Sequence, residues 1–324
     1  MKMRYVIMAV FAVALMMASM ASANVIVSYN GNSLGLFTDN GTKILDYATD
    51  LVNPQGVVTD NDGYVYVADW GRGEVRKYDI TTGEFVRHVV SNPACRPTGL
   101  AFNPSNPGEI IVVADYDSGT KTQLARWNTN ATNSYAVANN NLGVPYGSAY
   151  YFPGIAARGW TAGIYLAAAG SVFQKFDPTG LDIMGGDVSV GGAGAITSTS
   201  TDLFLTGYTT ANNTYGYIQR LSDSALIASG IQLAPKGITN DGTNLWATLY
   251  NESLIAHYDA VSGALLGSFG VGEPVGIAYT SIWYCTSPVV GDLNLDCKVD
   301  FKDFAMMAAE WLECTRTSSM LCNE

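Results

Sequence analysis

The sequence predicts an all-β protein, a β-propeller of six blades with five or seven as the alternatives, followed by a small acidic loop and helix. Three observations carry that expectation. A four-strand unit recurs along most of the 324 residues, at the period of a propeller blade. The last copy runs out of chain before its outer strands, and unclaimed strands near the N-terminus are available to replace them. From Gly291 onward the composition changes to clustered acids and then to an amphipathic pattern.

The clearest unit runs from Pro54 to Val90. Gly56 to Asp60 reads as a short strand, Asn61-Asp62-Gly63 as a hairpin turn, and Tyr64 to Asp69 as an alternating strand, because period-two alternation bounded by turn residues marks a strand. Glu74 to Asp79 and Glu84 to Val89 complete the unit, with Thr82-Gly83 between them. Four short antiparallel strands joined by tight turns make one blade. Copies begin at Pro97-Thr98-Gly99-Leu100, Pro145-Tyr146-Gly147, Gly194-Ala195-Ile196, Pro235-Lys236-Gly237-Ile238 and Pro274-Val275-Gly276-Ile277. Proline stops the preceding outer strand, and glycine lets the next strand enter tightly beside the axis.

The copy that opens at Pro274 has no room for outer strands. Asn24 to Tyr29, Ser33 to Thr38 and Lys43 to Leu45 match the strands that are missing. Pairing both ends of the chain in one blade closes the ring and hides sheet edges. Ser281 to Cys285 competes with Val25 to Tyr29 for the same position, which leaves the blade count open.

The unit Pro-x-Gly-[Val/Leu/Ile], followed by Asp-x-x-Gly-x-Val-Tyr-Val-Ala-Asp and a later Tyr-Asp, is similar to the NHL repeat of six-bladed propellers, best over residues 54–79. The resemblance implies a fold more than an activity. NHL-like propellers include lactonases and lyases as well as binding proteins.

Lys2 and Arg4 precede an apolar run from Val6 to Ala18, and Ala21-Ser22-Ala23 offers small residues to a signal peptidase. The expected organisation is a signal peptide at 1–23, cleaved near Ala23, a propeller at 24–287, a loop-helix module at 288–313 and a Cys-containing tail at 314–324. Such a chain is secreted, periplasmic or held at the cell surface. No segment reaches the roughly 20 apolar residues of a membrane helix, so no membrane span is expected. Removing Lys2 and Arg4 leaves 15 Lys and Arg against 28 Asp and Glu, a formal charge of −13 in place of −11. Nucleic acid is a poor partner for that charge. The export route permits disulfides, but five cysteines leave at least one unpaired within a monomer. Cys297, Cys314 and Cys322 crowd the tail, and their pairing is not fixed by spacing.

Asp292 to Asp303 places oxygen side chains at positions 1, 3, 5, 9 and 12 of a 12-residue loop. Calcium takes about 6 to 8 hard oxygen ligands, so Asp292, Asn294, Asp296 and Asp303, with the Lys298 carbonyl and with Asp300 acting through water, are the expected shell for Ca2+. Clustered carboxylates repel one another without a cation, so binding and folding of the module are coupled. Phe304, Met307, Ala308, Trp311 and Leu312 fall on one helical face after the loop. This EF-hand-like loop and helix resemble one repeat of a type I dockerin, with Phe301 and Lys302 where the family carries a Ser-Thr pair. The resemblance implies calcium-dependent attachment to a cohesin-like or cell-surface protein. Single-copy tails of similar organisation occur at the ends of exported planctomycete proteins.

Within the propeller only His88 and His257 exist, on different blades, which excludes a histidine-rich metal site. Asp69 and Asp115 follow second strands, where a carboxylate caps a turn by accepting backbone N–H groups. Alternatively, Asp69, Asp115 and Asp117 line one mouth of the ring with Trp70 and Tyr116 and hold a cation or sugar hydroxyls. Tyr146, Tyr150, Trp160 and Tyr208 are further turn aromatics with flat faces for sugar rings. Ser253, His257 and Asp259 do not make a triad, because neighbouring strand residues alternate faces. Two functions follow. The first is a calcium-binding extracellular propeller acting as a non-catalytic binding or scaffold protein, with a carbohydrate as a candidate ligand. The alternative is a carbohydrate-active hydrolase or a lactonase- or lyase-type propeller enzyme in polysaccharide breakdown.

Overall fold

The computed structural model describes residues 24–60, 62–116, 121–139, 155–158, 163–168, 172–177, 183–189, 194–208, 215–232, 235–281, 304, 305, 307 and 308. Among these residues the strands form six four-stranded antiparallel sheets, one per blade. The inner strands are β4 (Pro54–Thr59), β8 (Cys95–Asn103), β12 (Ile155–Arg158), β16 (Ile196–Ser198), β20 (Ile238–Asn240) and β24 (Ile277–Thr280). Each touches the next in that order and β24 returns to β4, so the ring is closed. Blades 1 to 5 are numbered from β4 onward in chain order.

Blade 6 is composite. Its inner strand β24 pairs with β1 (Asn24–Tyr29) in the register Asn24↔Thr280 and Val27↔Ile277. β2 (Ser33–Thr38) and β3 (Lys43–Ala48) follow outward. The N-terminal segment therefore occupies the place for which Ser281 to Cys285 was the rival. Strand alternation explains why this segment can seal the ring. Val25 and Val27 pack with Trp246, Ile255 and Phe269 of blade 5, while Ile26 between them packs with Val57, Val65 and Val67 of blade 1. One short strand thus serves two interblade cores. Each fully buried Val or Ile contributes roughly 2 kcal/mol, so β1 is a strong fastener despite its length.

Blade 1 follows the expected unit closely, with β5 (Tyr64–Asp69), β6 (Glu74–Asp79) and β7 (Phe85–Ser91) outside β4. Blade 3 departs from it. The Pro145-Tyr146-Gly147 segment, expected to open that blade, lies outside the described residues, and the inner strand is Ile155–Arg158, paired with β13 (Gly163–Ala168). The physical reason is hairpin geometry. An inner strand is followed closely by its partner, and Ile155–Arg158 is the segment that pairs antiparallel with Gly163–Ala168, Arg158 opposite Gly163. At the C-terminus, Phe304, Ala305, Met307 and Ala308 are helical.

Near the axis the blades are fastened through their backbones. A Cβ placed on Gly237 would lie 2.5 Å from the Val275 carbonyl oxygen, and one on Gly276 would collide with the Gln55 carbonyl oxygen. Close approach, and not an unusual φ, is what demands glycine here. The same carbonyls are held by hydroxyl groups. Thr248 Oγ1 accepts the Gly237 N–H at 2.7 Å and donates to the Val275 carbonyl of blade 6 at 2.8 Å. Ser28 Oγ accepts the Gly276 N–H at 2.8 Å and donates to the Gln55 carbonyl of blade 1 at 3.0 Å. Thr206 repeats the clip between Ala195 and Pro235, at 2.7 and 2.8 Å. Each hydroxyl satisfies two buried backbone groups that belong to different blades.

Replacing Thr248 by Val keeps the shape but leaves the Gly237 N–H and the Val275 carbonyl unpaired and buried. The expected loss is roughly 3 kcal/mol, read as a lower midpoint in chemical denaturation. Unchanged stability of Thr248→Val would refute the clip.

Candidate functional site

The inner strands converge on an axial channel with two different ends. At the leading mouth, where these strands begin, a narrow well of about 70 Å³ is lined by Gln55, Thr98, Lys236 and Val275 among others. These four are the middle residues of the Pro-x-Gly units. The repeat fixes their neighbours for packing and leaves this position free to vary. At the trailing mouth a wider cavity of about 290 Å³ is lined by Thr59, Phe102, Thr197, Ser198, Thr239 and Tyr279. Among the described residues the lining of the trailing end carries no ionised side chain, whereas the described lining of the leading end includes Lys236.

Gln55 is 1% exposed. Its Nε2 donates to the Asn53 side-chain oxygen at 2.5 Å, while its Oε1 accepts no hydrogen bond from the described residues. A buried acceptor without a donor costs free energy that a bound donor restores. Thr98 is also buried and donates to the Val113 carbonyl at 3.2 Å. Lys236 is half-buried, with Nζ 3.1 Å from the centroid of the Tyr250 ring. Desolvation pulls its ammonium pKa down to about 8, opposed by the charge of Glu273. A cation over an aromatic face keeps part of its charge available for an anion or a hydroxyl oxygen.

Trp70 and Tyr250 follow the second strands of blades 1 and 5, on the rim of the same mouth. Register places them there, because Asp69 pairs with Pro54 and Thr248 is bonded to Gly237. The Arg96 guanidinium lies 4.5 Å from the Trp70 ring centroid. The rim therefore carries two described aromatic rings, each faced by a cation. Composition conceals this pairing, because Arg96 lies on β8, remote in sequence from Trp70, and Lys236, just before β20, meets Tyr250 only through the hairpin.

Of the sequence-derived mouth residues, Trp70 is at the rim. Asp69 is fully buried: Oδ1 accepts the Val52 N–H at 2.9 Å, and Oδ2 stands 3.6 Å from Arg72 Nε and 4.0 Å from Arg76 Nε. Its carboxylate caps the chain arriving from blade 6, so it is enclosed and not open to the mouth. Burial pushes its pKa up to about 6, against the lowering influence of the Val52 N–H, Arg76 and Arg72. Asp115 and Tyr116 end β9 (Asn106–Tyr116), paired with Arg96 and Cys95, and their side chains lie outside the described residues. Asp117 lies outside them as well. The proposed calcium ligands Asp292, Asn294, Asp296, Lys298, Asp300 and Asp303 also lie outside. Among the described residues no group of three or more His, Cys, Asp or Glu is placed to hold a metal ion. No described helix is long and apolar enough to cross a membrane.

The two histidines lie on different blades, His88 on β7 of blade 1 and His257 in blade 5. His257 is stacked on Trp246 at 3.7 Å between centroids and 7° between planes. Burial lowers its pKa, opposed by Asp241 and Asp39. His88 lies on β7, away from the axis. Asp259 is taken up by the Val261 and Ser262 N–H groups, so Ser253, His257 and Asp259 do not act together. Cys95 is buried and forms no disulfide among the described residues.

The fold and this mouth define a β-propeller with a polar, aromatic-rimmed axial site. Residues 15–136 match the family model described as the SMP-30/Gluconolactonase/LRE-like region. No functionally curated protein matches the chain. Among solved structures, a protein of unknown function from Bacteroides caccae aligns with a TM-score of 0.60 at 10% identity, over 80% of this chain and 98% of that one. A chain of a nidogen/laminin complex aligns with a TM-score of 0.62 at 14% identity, over 81% of this chain and 100% of that one. At these identities the likeness is one of fold.

The Asp69 pKa has a consequence for stability. Because the folded pKa lies above the ordinary carboxylate value, the native state binds the proton more tightly, and this group's contribution falls as pH rises from the ordinary range to about 6. Thermal melts of Asp69→Asn from pH 4 to 7 should lack that falling limb relative to the parent. Parallel melting curves for the two proteins would exclude the assignment.

Proposed function

We propose that this is an exported, non-catalytic binding propeller that receives a polar, hydroxyl-rich ligand such as a saccharide at its leading mouth, and that its C-terminal Asp292–Asp303 loop binds Ca2+ for attachment. One observation carries the first part. A buried acceptor, Gln55 Oε1, and a half-buried cation, Lys236, share a well of about 70 Å³. A single hydroxyl group fits that volume, donating to Gln55 Oε1 and accepting from Lys236, while the rest of the ligand lies across the rim on Trp70 and Tyr250. Flat aromatic faces beside directional polar groups are suited to sugar rings. The second part rests on the ligand spacing of the loop and on its resemblance to a dockerin repeat, which favours a cohesin-like or cell-surface partner.

A second reading is lactone hydrolysis or a related carbohydrate-directed reaction. The match of residues 15–136 to the SMP-30/Gluconolactonase/LRE-like model favours it. So does a Lys236 pKa near 8, which leaves a usable neutral amine fraction at mildly alkaline pH.

A glycan array and a lactone and glycoside hydrolysis screen, each run with and without calcium, separate the two readings. Binding without turnover, weakened at least about tenfold by Lys236→Met, is the outcome expected of a binding propeller. Turnover abolished by the same substitution would replace that reading with the enzymatic one. For the tail, calorimetry of the full chain should find one calcium site that disappears when Asp292→Ala and Asp296→Ala are combined. Calcium heat that survives the double change would remove the loop as the site.

A further inference from the structure

Blade 6 meets blade 1 on the outer flank of the ring, far from the axial mouth. A groove of about 370 Å³ opens there, lined by Tyr47 and Asp50 on one side and by Arg76, Tyr78, Phe85 and His88 on the other. Its polar groups are unevenly satisfied. The Arg76 side chain is 9% exposed, with Nε bonded to Glu74 at 2.8 Å and Nη1 bonded to both Asp50 carboxylate oxygens at 3.0 and 3.1 Å. Nη1 also reaches the Tyr78 hydroxyl at 3.4 Å. Nη2 donates to none of the described residues. His88 Nδ1 is buried without a hydrogen-bond partner among them, 3.6 Å from Glu74.

The walls are aromatic. Phe85 stands 5.7 Å from Tyr78 at 72° and 4.8 Å from His88 at 57°, measured between ring centroids. Phe85 remains 48% exposed, an open apolar face next to an unfinished guanidinium edge. Asp50 differs from the other partners of Arg76, because its side chain is 64% exposed. Its backbone is pinned independently, since Arg72 donates to the Asp50 carbonyl from Nε and Nη2 at 3.1 and 2.8 Å. The Asp50 carboxylate can therefore swing into water without disturbing the chain.

We propose that this groove binds a carboxylate carried on a ring, with the carboxylate on Arg76 and His88 and the ring against Phe85, and that Asp50 holds the place of the ligand when the groove is empty. Exchange of one carboxylate for another leaves the charge beside Arg76 unchanged, so the buried guanidinium is never left uncompensated. Only the Asp50 half of this pair is open to water, at 64% exposure against 9% for Arg76, and its other cation, Arg72 Nη2, stands 4.0 Å away, so Asp50 is the partner of Arg76 that can return to solvent. Glu74, Asp69 and Arg72 are the other charged groups around Arg76, and none of them has to move. A cationic ligand would have to lie against Arg76, which disfavours it. The proposal does not rest on the ligand suggested for the axial mouth.

The test uses the full chain with benzoate and galacturonate as probes, benzyl alcohol and galactose as neutral counterparts, and sulfate as an anion without a ring. Calorimetry should find saturable binding of at least one carboxylate and of neither neutral compound. Phe85→Ala should weaken it about fivefold, and Asp50→Asn should strengthen it by removing the competing carboxylate. Both side chains are exposed enough for the variants to fold, and coincident melting curves check this. Failure of both carboxylates to saturate the Asp50→Asn protein overturns the proposal. Equal binding by parent and Phe85→Ala, or sulfate binding as tightly as the carboxylates, overturns it too.

Discussion

Crowding at the axis is the constraint on which the rest of this molecule depends. Inner strands from six sheets must converge without leaving a buried backbone group unpaired. Glycine and hydroxyl side chains solve the two halves of that problem. Gly237 and Gly276 let a neighbouring carbonyl come closer than any Cβ permits, and Ser28, Thr206 and Thr248 then occupy that carbonyl with a hydrogen bond. The clip works only because one hydroxyl both accepts and donates. Blade 1 has Ala68 at the matching position of its second strand, yet a Cβ on Gly56 would still lie 2.7 Å from the Thr98 carbonyl oxygen. Close approach is therefore the more general requirement, and the hydroxyl is its commonest companion.

Ring closure extends the same logic to the chain ends. β1 lies between β24 and β2, so the fold is complete only when residues some 250 positions apart are paired. Ser28 tightens that joint by bridging Gly276 and Gln55. Because β1 and β24 run antiparallel, Asn24 and Thr280 lie together at the trailing end. Both ends of the described ring, Asn24 and Thr280, therefore lie on the face opposite the Gln55 and Lys236 well.

Packing also decides where chemistry has room. Positions flanking the Pro-x-Gly middle residue are committed to the axis, whereas the middle residue tolerates Gln55, Thr98, Lys236 or Val275. The six-fold repeat is thereby broken where a ligand would enter. A second break lies on the flank of blade 1, where Asp50, Asp69, Glu74, Arg72 and Arg76 form an ion cluster. Arg76 holds the Asp50 carboxyl below the usual range, and burial holds that of Asp69 above it. Two carboxylates beside the same guanidinium are thus pushed in opposite directions, Asp50 by its hydrogen bonds to Arg76 and Asp69 by burial.

The strand periodicity of Tyr64 to Asp69 and the Pro-x-Gly starts were enough to determine the propeller, and the spare strands Asn24 to Tyr29 and Ser33 to Thr38 offered a composite closing blade, but the choice between Val25 to Tyr29 and Ser281 to Cys285 needed the pairing of β1 with β24. These features are local or repeated, and a residue's face on a strand follows from its parity. At the third blade the sequence put the opening at Pro145, whereas the strand that pairs with Gly163–Ala168 is Ile155–Arg158. The orientation of Asp69 was equally out of reach, because a carboxylate at the end of a strand can face the mouth or the incoming chain. Only the tertiary structure decided that, by bringing the Val52 N–H and two guanidinium groups to it. Lys236 and Gln55 were visible as letters in a repeat, but their role as lining of one well depends on six inner strands meeting at an axis. Such proximity is a property of the closed ring and is written in no single segment.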